Sequence, residues 1–267
     1  MHIPDPVISG IESRWQKQQA VLATCQISLA AADTGGPTAD YVHKLNELAE
    51  DLAKSNANAV FSHARQHFST PGCRLDIEMD DFLCKKGFAE NSRWVRYRDI
   101  TSFAKVWEAL ESTYGGGIGE RMAIIAVANQ LVSSFCLRSK EPVRVRGGIL
   151  LSHAVYKDSY SNEPGKITYG CQTSISAALN ALVGFASHIA NPSLTSNLRK
   201  LQDCFDLKRG LLTLREKLQA VGDDSDEFIT ITTYFSKIEY HLSPKLTDAF
   251  QVFIAEYATS LKLNEAA

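Results

Sequence analysis

Residues 5–52 read DPVISGIESRWQKQQAVLATCQISLAAADTGGPTADYVHKLNELAEDL, and the spacing of their apolar residues decides the fold class. Asp5 before Pro6 is the pattern of a helix N-cap followed by proline at the first helical position. Ile8, Ile11, Trp15, Leu22, Cys25 and Leu29 then recur at helical steps, which puts them on one face. Gly35-Gly36-Pro37 interrupts the pattern. Tyr41, Leu45, Leu48 and Leu52 resume it, and Phe61, Ala64 and Phe68 extend it. Two long helices joined by a short turn fold back on each other. The spacing therefore predicts an amphipathic antiparallel helical hairpin over residues 1–70.

Ser69-Thr70-Pro71-Gly72 closes the hairpin with turn residues. Residues 71–267 are expected to form a mainly helical body with a small sheet. Leu75, Ile77 and Met79 alternate with charged residues as a half-buried strand does, and Trp94–Tyr97 reads as a second short strand. Ile100, Phe103, Trp107, Leu110 and Tyr114 mark a helix, and residues 120–137 a very apolar one. Val143–Arg146 alternates as a strand, and Gly147-Gly148 is expected to lead into a short helix through Tyr156. A loop over 158–172, with a strand at Lys166–Tyr169, precedes a helix that runs through Ile175 and Ile189 to Asn191-Pro192.

Leu198, Leu201, Phe205, Leu211, Leu214 and Leu218 suggest one helix, or two broken near Gly210. Phe228–Tyr240 is the clearest strand region, with a bulge or tight turn near Ser236-Lys237. Ser243-Pro244 starts a last helix striped by Leu246, Phe250, Phe253, Ile254, Tyr257 and Leu261. The fold class is mainly α with a minor β component.

Apolar residues make up 45% of the 267 and charged residues 22%, which is the balance of a chain that buries a core. The longest apolar run, Met122–Ala128, falls far short of the roughly 20 residues that span a bilayer. The N-terminus lacks the basic and apolar regions of a secretory signal. Six cysteines stand too far apart for a CxxC knuckle, and a reduced, cytoplasmic protein with no membrane partner is expected.

Charge is unevenly spread. Residues 1–84 hold six Lys/Arg against eleven Asp/Glu, residues 85–148 eleven against six, and the remainder eleven against thirteen. The basic middle carries Lys85, Lys86, Arg93, Trp94, Arg96, Tyr97 and Arg98, with Glu90 the one acid among them. A second run holds Arg138, Lys140, Arg144 and Arg146. Arginine forks to phosphate oxygens, and an aromatic ring stacks on an unpaired base. The alternative is that Trp94 belongs to the core and the arginines neutralise the acidic hairpin. A sequence pI of 6.4 also lacks the globally basic footprint usual among nucleic-acid binders.

Other patterns are weaker. His63 and His67, four apart on a helix, share a face suited to a metal, with Cys73 or Asp76 close in sequence as a third ligand. Ala64 stands where an HExxH site needs glutamate, and a solvated pair is the expectation, with no metal. Asp76, Glu78, Asp80 and Asp81 are carboxylates of the kind that hold Mg²⁺, and equally of the kind that face water. Gly115-Gly-Gly-Ile-Gly119 matches no phosphate loop, because Glu120 opposes phosphate and the lysine is missing. Arg146 and His153 have a spacing found in some helical ribonucleases, and chance readily supplies it.

No nucleophile elbow, kinase set or dinucleotide fingerprint is present, and no cofactor is expected. The first expectation is a non-enzymatic interaction or regulatory protein that binds an acidic partner, nucleic acid before an acidic protein surface. A phosphodiester hydrolase and a protein–protein adaptor are the alternatives. Trp15 and Tyr41 suit a homo-oligomer interface on the hairpin, unless that stripe packs within its own subunit.

Overall fold

In the computed structural model, residues 5–31, 38–161, 163, 165–207, 211–213 and 215–259 are described. The Gly35-Gly36-Pro37 turn, Gly210, Leu214 and Leu261 lie outside them. The described residues form two units. The first takes Met1–Ser69 and Leu75–Gly119, the second Thr70–Arg74 and Glu120–Ala267. The hairpin expected over residues 1–70 thus shares its unit with the segment that follows it.

Helices α1 (Pro6–Ala31) and α2 (Thr38–His67) run antiparallel, with α3 (Met79–Lys85) and α4 (Phe103–Tyr114) packed in the same unit. Asp5 caps α1, its Oδ1 accepting from Val7 N at 2.8 Å and Ile8 N at 3.3 Å. Arg14 Nε donates to Asn56 Oδ1 at 3.1 Å, and Asn56 Nδ2 donates to Gln18 Oε1 at 2.9 Å, which sets the register of α1 on α2. Trp15 is buried edge-on to Phe103 at 5.7 Å, and its indole donates to Ile100 O at 3.1 Å. Ile8, Ile11, Trp15 and Leu22 bury the α1 stripe, whereas Val21, Ile27, Tyr41, Val42 and Leu48 stay exposed.

Two expected strands are replaced by other structure. Cys73, Leu75 and Ile77 are buried and alternate with exposed Arg74, Asp76 and Glu78, but among the described residues this extended segment has no ladder beyond a Thr70–Cys73 bridge. Side chains from the end of α2 take the place of a strand partner. Ser69 Oγ accepts from Leu75 N at 2.7 Å, and Arg65 donates to Ile77 O. Period-two burial therefore reports which side faces the core, and does not require a sheet. Trp94–Tyr97 is a turn leading into a 3-10 segment, Tyr97–Asp99.

The second unit holds α5 (Ile118–Ser134, from Glu120 onward), α6 (Tyr169–His188), α7 (Pro192–Leu207) and α8 (Pro244–Tyr257). Its antiparallel sheet has the order β1-β2-β5-β4-β3, from β1 (Val143–Val145), β2 (Gly148–Ala154), β3 (Lys217–Val221), β4 (Phe228–Thr233) and β5 (Lys237–Leu242). Residues 148–154 are thus a strand and not a helix. The cause is tertiary, since Ile149 pairs with Leu242 and His153 with Ile238. Leu218, expected on a helix, pairs with Ile231 on the sheet edge. The β4–β5 turn closes with Tyr234 N donating to Lys237 O at 2.8 Å. Lys166 and Ile167 make isolated bridges, and Tyr169 already begins α6.

The core of this unit lies between the helices and one sheet face. Ile149, Leu151, Ala220, Ile229, Ile231, Ile238, Tyr240 and Leu242 supply the sheet side. Phe185 of α6 meets Phe250 and Phe253 of α8, each at 5.5 Å, and Phe135 meets Tyr240 at 5.1 Å. Mainly α with a small antiparallel sheet is the fold class that results. Among the described residues no helix is long and apolar enough to cross a membrane.

Candidate functional site

The first basic run is displayed on a loop with firm anchors at both ends. At its start, α3 closes with Phe88 N donating to Leu83 O at 2.8 Å and Gly87 N to Cys84 O at 3.0 Å. Gly87 takes φ +76°, the left-handed position such a helix end requires. Asn91 Oδ1 then accepts from Arg93 N at 2.8 Å, an Asx turn. Arg93 and Trp94 emerge from it, and Trp94 is 78% exposed. It thus belongs to the surface and not to the core.

At its end the loop is tied to α2. Glu50 accepts from Tyr97 N at 2.8 Å and from Arg98 N at 3.2 Å, one carboxylate oxygen for each. Tyr97 is buried, and its hydroxyl donates to Asp80. Burial first, and then the Asp80 carboxylate, push that phenol above its usual range. Tyr97 is consequently an anchor, and Trp94 is the aromatic residue open to a partner.

Lys85, Lys86, Arg93, Arg96 and Arg98 are all exposed. Trp94 and Arg96 line a groove of about 580 Å³ with Phe88 and Asn91, where Glu90 and Asp99 also stand. Arg96 and Arg98 border a second hollow with Glu47, Glu50 and Asp51 of α2. The hairpin acids therefore offset part of the positive charge.

The second basic run belongs to the other unit. Arg138, Lys140, Arg144 and Arg146 are exposed. Arg146 (φ +51°) and Gly147 (φ +80°) form the two-residue turn between β1 and β2, the backbone of a type I′ hairpin. His153 lies near the far end of β2, roughly 17 Å from Gly148 at about 3.3 Å per residue. The strand holds Arg146 and His153 apart.

His153 lines a cavity of about 600 Å³ with Lys140, Lys237, Gln130, Ser134 and Thr173. Its Nδ1 lies 3.2 Å from Ser134 O. Burial lowers its pKa, and the Ser134 bond opposes that in part, so the imidazole is neutral near pH 7. Sequence reasoning missed this cavity because its walls come from α5, β2, α6 and the β4–β5 turn, with no local motif.

The remaining patterns resolve differently. His63 Nε2 lies 2.9 Å from Asp5 Oδ2, and one ligand atom each from Asp5, His63 and His67 lie within 4.8 Å of one another. Cys73 is buried in the second unit, where its thiol donates to Gly184 O at 3.5 Å. Asp76, Glu78 and Asp81 face solvent, while Asp80 serves Tyr97. In the glycine loop, a Cβ at Gly119 would stand 2.7 Å from Phe68 Cβ, so close packing explains that residue. No protein-family model, curated protein or solved structure was found to match the chain.

Proposed function

We propose that this is a non-enzymatic binding protein for single-stranded nucleic acid, engaged by the loop from Lys85 to Arg98. The observation that carries the proposal is Trp94, 78% exposed between Arg93 and Arg96 on a loop fastened at both ends. Leaving so large a ring in water forgoes the roughly 1.5–3 kcal/mol that burial of a large apolar side chain contributes. A base stacked on Trp94 recovers it, while Arg93, Arg96, Lys85 and Lys86 meet phosphates. Six unpaired thiols support a reducing compartment, and we infer the cytoplasm.

The test is fluorescence anisotropy of labelled single-stranded RNA and duplex DNA at about 50 and 200 mM salt. Single strands should bind more tightly than duplex, and affinity should fall steeply with salt. Trp94→Ala should weaken binding by about tenfold, since stacking on one base contributes about 1–3 kcal/mol. Absence of binding at low salt refutes the proposal.

A second reading has its own observation. Neutral His153 shares a cavity with Lys140 and Lys237, which suits a general base beside a phosphate and hence a phosphodiester hydrolase. It requires RNA turnover that His153→Ala abolishes. An adaptor or homo-oligomer is supported by exposed Val21, Ile27, Tyr41, Val42 and Leu48 on the hairpin. It requires a self-association constant that Tyr41→Ser lowers, read by analytical ultracentrifugation.

A further inference from the structure

We propose that Asp5, His63 and His67 form a site for a borderline divalent metal of the zinc, cobalt or nickel type. The two histidines stand one turn apart on α2, and the antiparallel hairpin brings the first residue before α1 to the same place. Asp5 divides its carboxylate between two tasks. Oδ1 caps α1 through Val7 N and Ile8 N, and Oδ2 points at His63 Nε2, 2.9 Å away.

The cap holds the carboxylate in place, and Trp107 does the same for the rings. Its indole lies 5.1 Å from the His63 ring and 5.4 Å from the His67 ring, and is itself buried and stacked on Phe68. Bonds of about 2.0–2.2 Å to nitrogen and oxygen ligands put neighbouring donors about 3.3 Å apart in a tetrahedron. The Asp5–His63 pair, at 2.9 Å, has to open slightly, while the set as a whole, within 4.8 Å, has to draw in. His67 is exposed and can turn to bring this about.

The donor set decides the metal class. Two imidazoles and one carboxylate suit borderline divalent ions such as zinc, cobalt, nickel and iron(II), whereas calcium and magnesium take oxygen ligands. Three protein ligands leave at least one position for water or an incoming ligand. Metal bound here clamps the start of α1 to the end of α2, so it stabilises the folded chain by linkage.

The test uses the full chain freed of metal by chelator and dialysis. Titration with cobalt(II) should give visible bands of a nitrogen–oxygen site at one metal per chain. A thiolate charge-transfer band in the near ultraviolet would instead assign the metal to a cysteine and overturn the proposal. Zinc should raise the melting temperature of the wild type. His67→Ala should lower the metal-free melting temperature only slightly, because the ring is exposed apart from its edge contacts with Trp107 and Phe68. It should also weaken zinc binding by more than the roughly 100-fold that loss of an outer-shell group can cost. Asp5→Asn keeps a cap while weakening ligation, and should lose zinc affinity in the same direction. Zinc binding that survives in both variants, or no zinc binding in the wild type, overturns the proposal.

Discussion

The carboxylate of Glu50 on α2 accepts the backbone amide of Tyr97 at 2.8 Å and so fastens the cationic loop to the acidic hairpin. The same carboxylate accepts from Arg98 N at 3.2 Å, leaving the guanidinium of Arg98 outside this bond. Hydrogen bonds to a charged acceptor typically contribute about 1.5–3 kcal/mol each when partly buried. Glu50→Ala removes both and should therefore lower unfolding free energy by about 3 kcal/mol, the low end of their sum. Amide exchange at Tyr97 and Arg98 should accelerate selectively. Unchanged protection at both amides would show that the loop is held by other contacts.

The pairing of β2 with β5 depends on a bare backbone at its first residue. A Cβ at Gly148 would stand 2.0 Å from Leu242 O and 3.2 Å from His241 Nε2. Gly148→Ala should cost about 3 kcal/mol or more, at the upper end of overpacking penalties, because the obstacle is backbone. A urea midpoint close to wild type would mean that β2 can shift its register cheaply.

Helix α6 ends with Asn191 N donating to Ala186 O at 3.0 Å and Ala190 N to Ser187 O at 3.1 Å. Ala190 occupies the left-handed position at φ +53°, which glycine takes without steric cost. Ala190→Gly should raise stability by up to about 1 kcal/mol, after the extra freedom of glycine in the unfolded chain offsets part of the relieved strain. Thermal denaturation at fixed pH reads the shift, and a fall in melting temperature would contradict it.

His153 should link stability to pH. Its pKa in the folded chain lies below the ordinary histidine value of 6.5, chiefly because of burial. The unfolded chain therefore holds more protons on this group over the intervening range, and stability rises with pH there. The contribution is full above about pH 6.5 and is lost as pH falls through the folded-state value. Lys140 and Lys237 line the same cavity. Wild type should lose stability between pH 7 and 5 more steeply than His153→Gln. Equal slopes, or a ring titration midpoint above 6.5 by NMR, would count against burial as the cause.

What could be read from the chain divides by the range of the interactions. The hairpin was legible because Ile8, Ile11 and Trp15 carry helical spacing within a few residues, and Asp5-Pro6 marks its start. The last helix was legible for the same reason, and so was the turn at Ser236-Lys237. Residues 148–154 misled because Ile149-Leu150-Leu151 has no period of its own. Only β5, far along the chain, makes it a strand. Leu75 and Ile77 misled in the opposite direction, since Ser69 and Arg65 replaced a partner strand.

The site followed the same division. The cations between Lys85 and Arg98 were visible as a run, yet the sequence alone did not say that Tyr97 turns inward while Trp94 turns out. Asp5 was recognisable as a cap. Its meeting with His63 was also within reach, because the two lie about equally far along the chain from Gly35.

The strand order carries a consequence for how the protein is made. β2 leaves the ribosome well before β5, its central partner, and α6 and α7 are completed in between. Until Lys237–Leu242 is synthesised, Ile149 and Leu151 have only the three-residue β1 beside them in the sheet. Such late, long-range pairing is slow and leaves apolar strand surface open to wrong partners meanwhile. Truncated chains ending before residue 237 should for that reason be recognised by chaperones and proteases, whereas the N-terminal hairpin, whose contacts are nearer in the chain, can close much earlier.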